Sequence, residues 1–182
     1  MSMSELHKPE WYGECAIISD KYNDYVQIKY KCNGTGTLYD YSLFPGINLI
    51  FMDFNCSDIF HEPIPNKNII EIRHYQKGRV EFELRNNKVF HMKEGELCIN
   101  ALANVPAAYS FPFGYSVGLS CVIDKDSIDA KTKQIFSYYN IDVLNLGQEL
   151  EIEKKWFLCR TPQRLLHIFD ELYTAKGVEG KD

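Results

Sequence analysis

Val80-Glu81-Phe82-Glu83-Leu84 alternates apolar and acidic side chains without a break, and Asn86-Asn87 stand just beyond it. Successive side chains leave a pleated backbone on opposite sides, so this period of two predicts a strand with one dry and one wet face. Asparagine tolerates the left-handed conformation of a tight hairpin, so Asn86-Asn87 predict a reversal and Lys88 to Lys93 the returning strand. Lys93-Glu94-Gly95-Glu96 then predicts a further turn, and Leu97 to Leu102 the next strand of a meander that Pro106 interrupts.

Upstream, Ile47-Asn48-Leu49-Ile50-Phe51-Met52-Asp53-Phe54 is nearly all apolar, the pattern of a strand buried on both faces. Asn68 to Tyr75 predicts another strand. Between them Glu62-Pro63-Ile64-Pro65-Asn66 predicts a loop, because prolines cannot donate to a ladder. From Cys15 to Asp124 such runs are separated by Gly34, Gly36, Gly46, Gly78, Gly95 and Gly114, the rhythm of an all-β sandwich or barrel.

The period changes after Asp124. Ile128, Thr132, Ile135, Phe136 and Tyr139 recur at helical spacing, with Asp126 or Ser127 suited to cap the helix. Gln148 to Cys159 reads both ways: Leu150 and Ile152 alternate like a strand, while Trp156-Phe157-Leu158 suits a short helix. Thr161-Pro162 predicts a cap followed by proline at the first helical position, for a helix that runs to about Ala175 and stops at Gly177. Leu165, Leu166, Ile168, Phe169, Leu172 and Tyr173 share one broad face of it. That stripe is wider than one docking surface requires. It suits burial on the chain's own barrel, and part of it also suits packing on a second subunit. The tail from Lys176 to Asp182 is polar and expected to fray.

A chain of 182 residues suffices for one well-packed domain. Lys and Arg total 20 against 25 Asp and Glu, a net charge of -5. Affinity for a polyanion comes from cationic side chains displacing counterions, so unaided nucleic-acid binding is not expected. Cys15, Cys32, Cys56, Cys98, Cys121 and Cys159 form no C-x-x-C pair and mostly sit in apolar runs, which favours a reducing, cytoplasmic setting. Met1 to Trp11 carries no apolar signal core, and no stretch of 18 apolar residues predicts a membrane span.

Few residues suit catalysis. Metal-binding β-barrel enzymes place an H-x-H pair on one strand, and here His74 is followed by Tyr75 and Gln76, with His61 and His91 separated by turns. There is no G-x-S-x-G, no phosphate-cradling loop (Gly34-Thr35-Gly36 lacks a following lysine), and no helix-turn-helix. What remains is a pocket. In Glu71-Ile72-Arg73-His74-Tyr75, alternation puts Glu71, Arg73 and Tyr75 on one face and Ile70, Ile72 and His74 on the other, and either choice turns a polar group inward. Convergent polar groups among aromatics orient a small molecule in a barrel.

Ile70 to Glu81, with its Tyr75, Gly78-Arg79 and Glu81, is followed by Glu94-Gly95-Glu96-Leu97 and then by Phe111-Pro112-Phe113-Gly114-Tyr115-Ser116-Val117-Gly118. In that order these segments resemble the N-terminal domain of AraC-type transcription regulators, from about Leu49 to Asp124. The two C-terminal helices agree with it in order and size.

The resemblance implies a mainly β fold: a cupin-like jelly-roll (double-stranded β-helix) barrel over residues 1–124, which binds an effector. A helical segment of two or three helices over 125–176 would pair subunits as part of the same domain, with 177–182 as tail or linker. It also implies a C-terminal domain with two helix-turn-helix motifs, which these 182 residues do not contain, so DNA would be reached only through that domain. Of the matching positions Tyr75, Gly78, Arg79, Glu81, Pro112, Gly114 and Tyr115, the glycines would serve turns, and Arg79 and Glu81 would pair or face ligand. The expected pocket residues are Arg73, His74, Tyr75, Glu81 and His91. The expected homodimer residues are Leu165, Phe169, Leu172 and Tyr173. No catalytic residue, metal or cofactor is expected; the alternative is a metal-dependent cupin enzyme.

Overall fold

The alternating runs of residues 16–124 form ten strands: β1 (Ala16–Lys21), β2 (Tyr25–Tyr30), β3 (Gly34–Phe44), β4 (Ile47–Cys56), β5 (Asp58–Phe60), β6 (Asn66–Leu84), β7 (Val89–Lys93), β8 (Glu96–Leu102), β9 (Pro106–Ser110) and β10 (Ser116–Asp124). Helix α1 (Ala130–Tyr138), strand β11 (Phe157–Arg160) and helix α2 (Gln163–Glu179) follow. The computed structural model describes residues 9–22, 24–60, 66–84, 88–103 and 105–179. The reversal expected at Asn86-Asn87, His61, and residues 62–65 of the expected loop lie outside them.

The order β1-β2-β3-β4-β10-β6-β8-β11 makes one antiparallel sheet, and β5, β9 and β7 join through the far half of β6. The sheet curls into a mainly β half-barrel with two α-helices. Strand β4 takes up the apolar run between β3 and β10, and Ile47 to Phe51 are buried on both faces because Ile50 joins the concave core while Ile47, Leu49 and Phe51 lie under the C-terminal segment.

Strand β6 is continuous over 19 residues, where Gly78 predicts a break between two strands. The glycine bends the strand instead: its φ is +87°, and a Cβ there would lie 2.4 Å from the Tyr115 carbonyl oxygen. Against β10, Val117 pairs with Lys77 but Gly118 with Tyr75, so Gln76 is an extra residue, a β-bulge. One inserted residue reverses the alternation. Ile69 and Tyr75 therefore share the concave core with Val80 and Phe82, odd positions before the bulge and even ones after it.

The convex face is covered by the C-terminal segment. Ile47, Ile70 and Ile123 pack with Ile128, Val143 and Ile152, and Leu49, Phe51 and Leu119 pack with Phe169, Leu172 and Tyr173 of α2. Several local expectations are corrected here. Asp129 caps α1, its carboxylate accepting the Thr132 N–H at 2.7 Å, because Asp124 already holds Ser127 and Asp126 in the turn that ends β10. Phe157-Leu158 is strand, paired to Ile99 and Cys98. Helix α2 starts one residue later than expected and continues past Gly177 to Glu179. The Thr161 hydroxyl makes no hydrogen bond among the described residues, so it does not cap that helix. No helix among the described residues is long and apolar enough to cross a membrane.

Candidate functional site

The concave side of the half-barrel holds a cavity of about 70 Å³, lined by residues that include Trp11, Tyr12, Ile50, Ile59, Glu71, Arg73, Tyr75, Leu102, Tyr109, Phe111 and Ser120. The register brings these polar groups together. Ser120 pairs with Arg73 across β10 and β6, and Glu71 precedes Arg73 by two positions on the same inward-facing row.

Arg73 is 4% exposed and Glu71 7%. The guanidinium meets the carboxylate with two nitrogens, Nε donating to Oε1 at 3.1 Å and Nη2 donating to Oε2. Ser120 Oγ donates to Oε1 as well, at 2.5 Å. The guanidinium carbon lies 4.9 Å from the Phe82 ring centre and 5.8 Å from that of Tyr109, so aromatic faces shield the cation. Burial opposes the charged form, but Glu71, together with Tyr109 and Tyr75, holds the Arg73 guanidinium well above its ordinary pKa. Burial pushes the Tyr109 phenol up to about 12, although the Arg73 charge pulls the other way. Nη1 of Arg73 is buried without a hydrogen-bond partner among the described residues. Such an orphaned donor in a polar wall needs an explanation, because an unmet buried N–H costs its full desolvation.

The wall is completed by the short 3-10 turn Pro9–Tyr12. Tyr12 Oη donates to Asp40 Oδ2 at 2.6 Å, Asn48 Nδ2 donates to Asp40 Oδ1 at 2.6 Å, and Tyr30 Oη donates to the Tyr12 carbonyl at 3.0 Å. Asp40 is fully buried on the inward row of β3, and the contact pins Tyr12 over the cavity.

Of the expected pocket residues, Arg73 and Tyr75 line the cavity. His74 faces the other way, stacked on Phe169 of α2 with ring centres 4.2 Å apart and planes 5° apart. Its Nδ1 lies 3.1 Å from the Tyr173 hydroxyl. Glu81 follows the bulge, so it points outward and pairs with half-exposed Arg79 at 2.8 Å. His91, opposite Glu81 on β7, is exposed. Among the dimer residues, Phe169, Leu172 and Tyr173 pack on their own sheet, and Leu165 is half-buried. Sequence reasoning missed Trp11, Tyr12, Tyr109 and Ser120. Ser120 was within reach, since it stands in phase with inward Val122 in an apolar strand; Tyr109 and the N-terminal turn carry no local signal. Among the described residues no three His, Cys, Asp or Glu side chains converge as metal ligands.

No protein-family model matches the chain, and no curated protein matches it. Solved structures superpose on parts of it. An HTH_3 family transcriptional regulator from Vibrio cholerae is 16% identical over 47% of this chain and 50% of its own, with a TM-score of 0.37. A Cupin 2 conserved barrel domain protein from Salinispora arenicola CNS-205 is 13% identical over 56% of this chain and 84% of its own, with a TM-score of 0.38. The AraC-like transcriptional activator CuxR is 11% identical over 63% of this chain and 48% of its own, with a TM-score of 0.37. The chain thus spans about half the length of the two regulators it is similar to.

Proposed function

We propose that this chain is the effector-sensing part of an AraC-type transcription regulator: a jelly-roll barrel that takes a small molecule, pairs with a second copy through its C-terminal helices, and leaves DNA reading to a separate helix-turn-helix domain. One observation carries the reading. A buried, ion-paired arginine keeps a spare donor, Nη1, on the wall of a cavity otherwise lined largely by aromatic and aliphatic side chains. A few placed polar groups in an apolar recess are what small-molecule sites consist of. The motif order described for residues 49–124 supplies the regulator part of the reading, and the non-enzymatic assignment follows from it.

The test is a thermal-shift screen of the purified chain against small polar metabolites. A guest that binds only the folded state raises Tm with concentration, and at least one compound is expected to do so in the native chain and to lose the effect when Ile59→Trp fills the cavity. A flat Tm with every compound rejects the sensor. Stoichiometric iron, manganese or zinc in elemental analysis replaces it with a metal-dependent enzyme.

A further inference from the structure

We infer that the guest of this cavity is a compact, uncharged molecule with one hydrogen-bond acceptor, of the amide or ketone class, rather than a carboxylate or phosphate; this rests on the cavity being a ligand site. Charge is the first ground. Among the described residues that line the cavity, Glu71 and Arg73 are the only Asp, Glu, Lys, Arg or His side chains, and they neutralise each other. An incoming anion would add a charge with no counter-ion in a poorly solvated space, which is strongly disfavoured.

Geometry is the second ground. Arginine recognises carboxylates and phosphates through two parallel N–H groups. The side-on fork is already taken: Nε and Nη2 both serve Glu71, and Ser120 adds a third hydrogen bond to the same carboxylate. An anion competing for the fork would strand Glu71 in the interior. Nη1 is the guanidinium nitrogen without a partner among the described residues, and a neutral acceptor that meets it leaves the Glu71 pair intact.

Size is the third. About 70 Å³ falls well short of the roughly 300–1,000 Å³ of a drug-sized site, so the guest is compact. The other end of the guest would rest on Ile50, Ile59, Leu102 and Phe111.

Propionamide and propionate share one heavy-atom skeleton and differ in charge at pH 7. Titrated into the whole chain, with the Ile50 and Ile59 methyl resonances reporting entry, propionamide is expected to bind at least tenfold more tightly. The preference is expected to vanish when Glu71→Met and Arg73→Met are combined. Propionate binding equally well or better overturns the inference and leaves the sensing barrel standing. Xenon entering while neither probe does has the same consequence. If neither probe nor xenon moves the interior methyls, the cavity is no ligand site and both readings fall. The comparison in the native chain decides these outcomes even if the double variant does not fold.

Discussion

Glu71 and Arg73 leave water together, and their side chains retain 9% and 5% exposure. Removing one partner of such a pair strands the other, at a cost of about 3–5 kcal/mol, whereas replacing both with apolar groups of similar volume is often neutral or stabilising. Arg73→Met is therefore expected to lose about 3–5 kcal/mol in urea unfolding, and the Glu71→Met, Arg73→Met double variant to stay within about 1 kcal/mol of the native chain. A single variant as stable as the parent would mean that the pair is not desolvated as described. One position on, His74 titrates in a different setting. Burial lowers its pKa from the ordinary 6.5, with Asp170 opposing, and Nε2 has no partner among the described residues. Above about pH 7 the imidazole is neutral in both folded and unfolded chains, so it adds no slope there. As pH falls through 6.5 the unfolded chain takes up the proton first, so stability declines until the lower folded pKa is passed. The urea midpoint is expected to drop between about pH 7 and 5, less steeply in His74→Gln. Asp129, Asp142 and Glu151, whose pKa values are lowered by hydrogen bonds from Thr132, Asn145 and Lys154, contribute only at more acidic pH. An unchanged slope in His74→Gln would remove this histidine from the account.

At the scale of the element, β6 decides which residues become a site. Its bend requires φ of +87° at Gly78, against the Tyr115 carbonyl, so Gly78→Ala combines left-handed strain with a clash. The left-handed conformation alone costs an L-residue roughly 1–2 kcal/mol, and a loss of at least that size is expected in thermal unfolding. A wild-type Tm would show that the bend does not depend on glycine. The same strand separates what was legible in the sequence from what was not. Strong periodicity in Val80–Leu84 and the apolar run of β4 marked real strands, and Arg73 and Tyr75 reached the cavity because residues 71–75 alternate regularly. The bulge at Gln76 left no such mark: a two-residue period projected through it puts Glu81 on the same face as Arg73, whereas the inserted residue turns Glu81 out to Arg79 and Phe82 in beneath the guanidinium. Long-range pairing likewise decided Phe157–Arg160, which joins β8 across the chain between Leu102 and Phe157 at no local signal. The inward choice between Arg73 and His74 was equally invisible, since it depends on α2 covering the opposite face.

Across the whole molecule, one sheet has a cavity on one side and a helix on the other, and β6 touches both. Adjacent residues on it face opposite ways: Arg73 reaches the cavity while His74 stacks on Phe169 and meets Tyr173. Because α2 uses Phe169, Leu172 and Tyr173 on its own sheet, a second subunit would have to meet its outward side, where Ile168 is 44% exposed. In the proposed dimer, Ile168→Glu is accordingly expected to shift sedimentation toward monomer with Tm little changed; an unaltered dimer would exclude that side of the helix, and a native chain that sediments as monomer would remove the pairing itself. A sensor needs more than a guest, because a ligand shifts a population only by its difference in affinity between two states. Here the two states would differ in how firmly α2 is held on the sheet. A guest that engaged Nη1, as proposed, would steady Arg73 and, through the shared backbone, the His74 ring on which α2 rests. Amide hydrogen exchange over residues 163–176 is expected to slow severalfold at saturating propionamide, and Phe169→Ala, which removes the ring stacked on His74, is expected to abolish that response while leaving propionamide affinity within about twofold. Slowing that survives in Phe169→Ala would mean that occupancy reaches the helix by some route other than the His74 stack. Identical exchange with and without propionamide in the native chain would mean that α2 is indifferent to the cavity behind it.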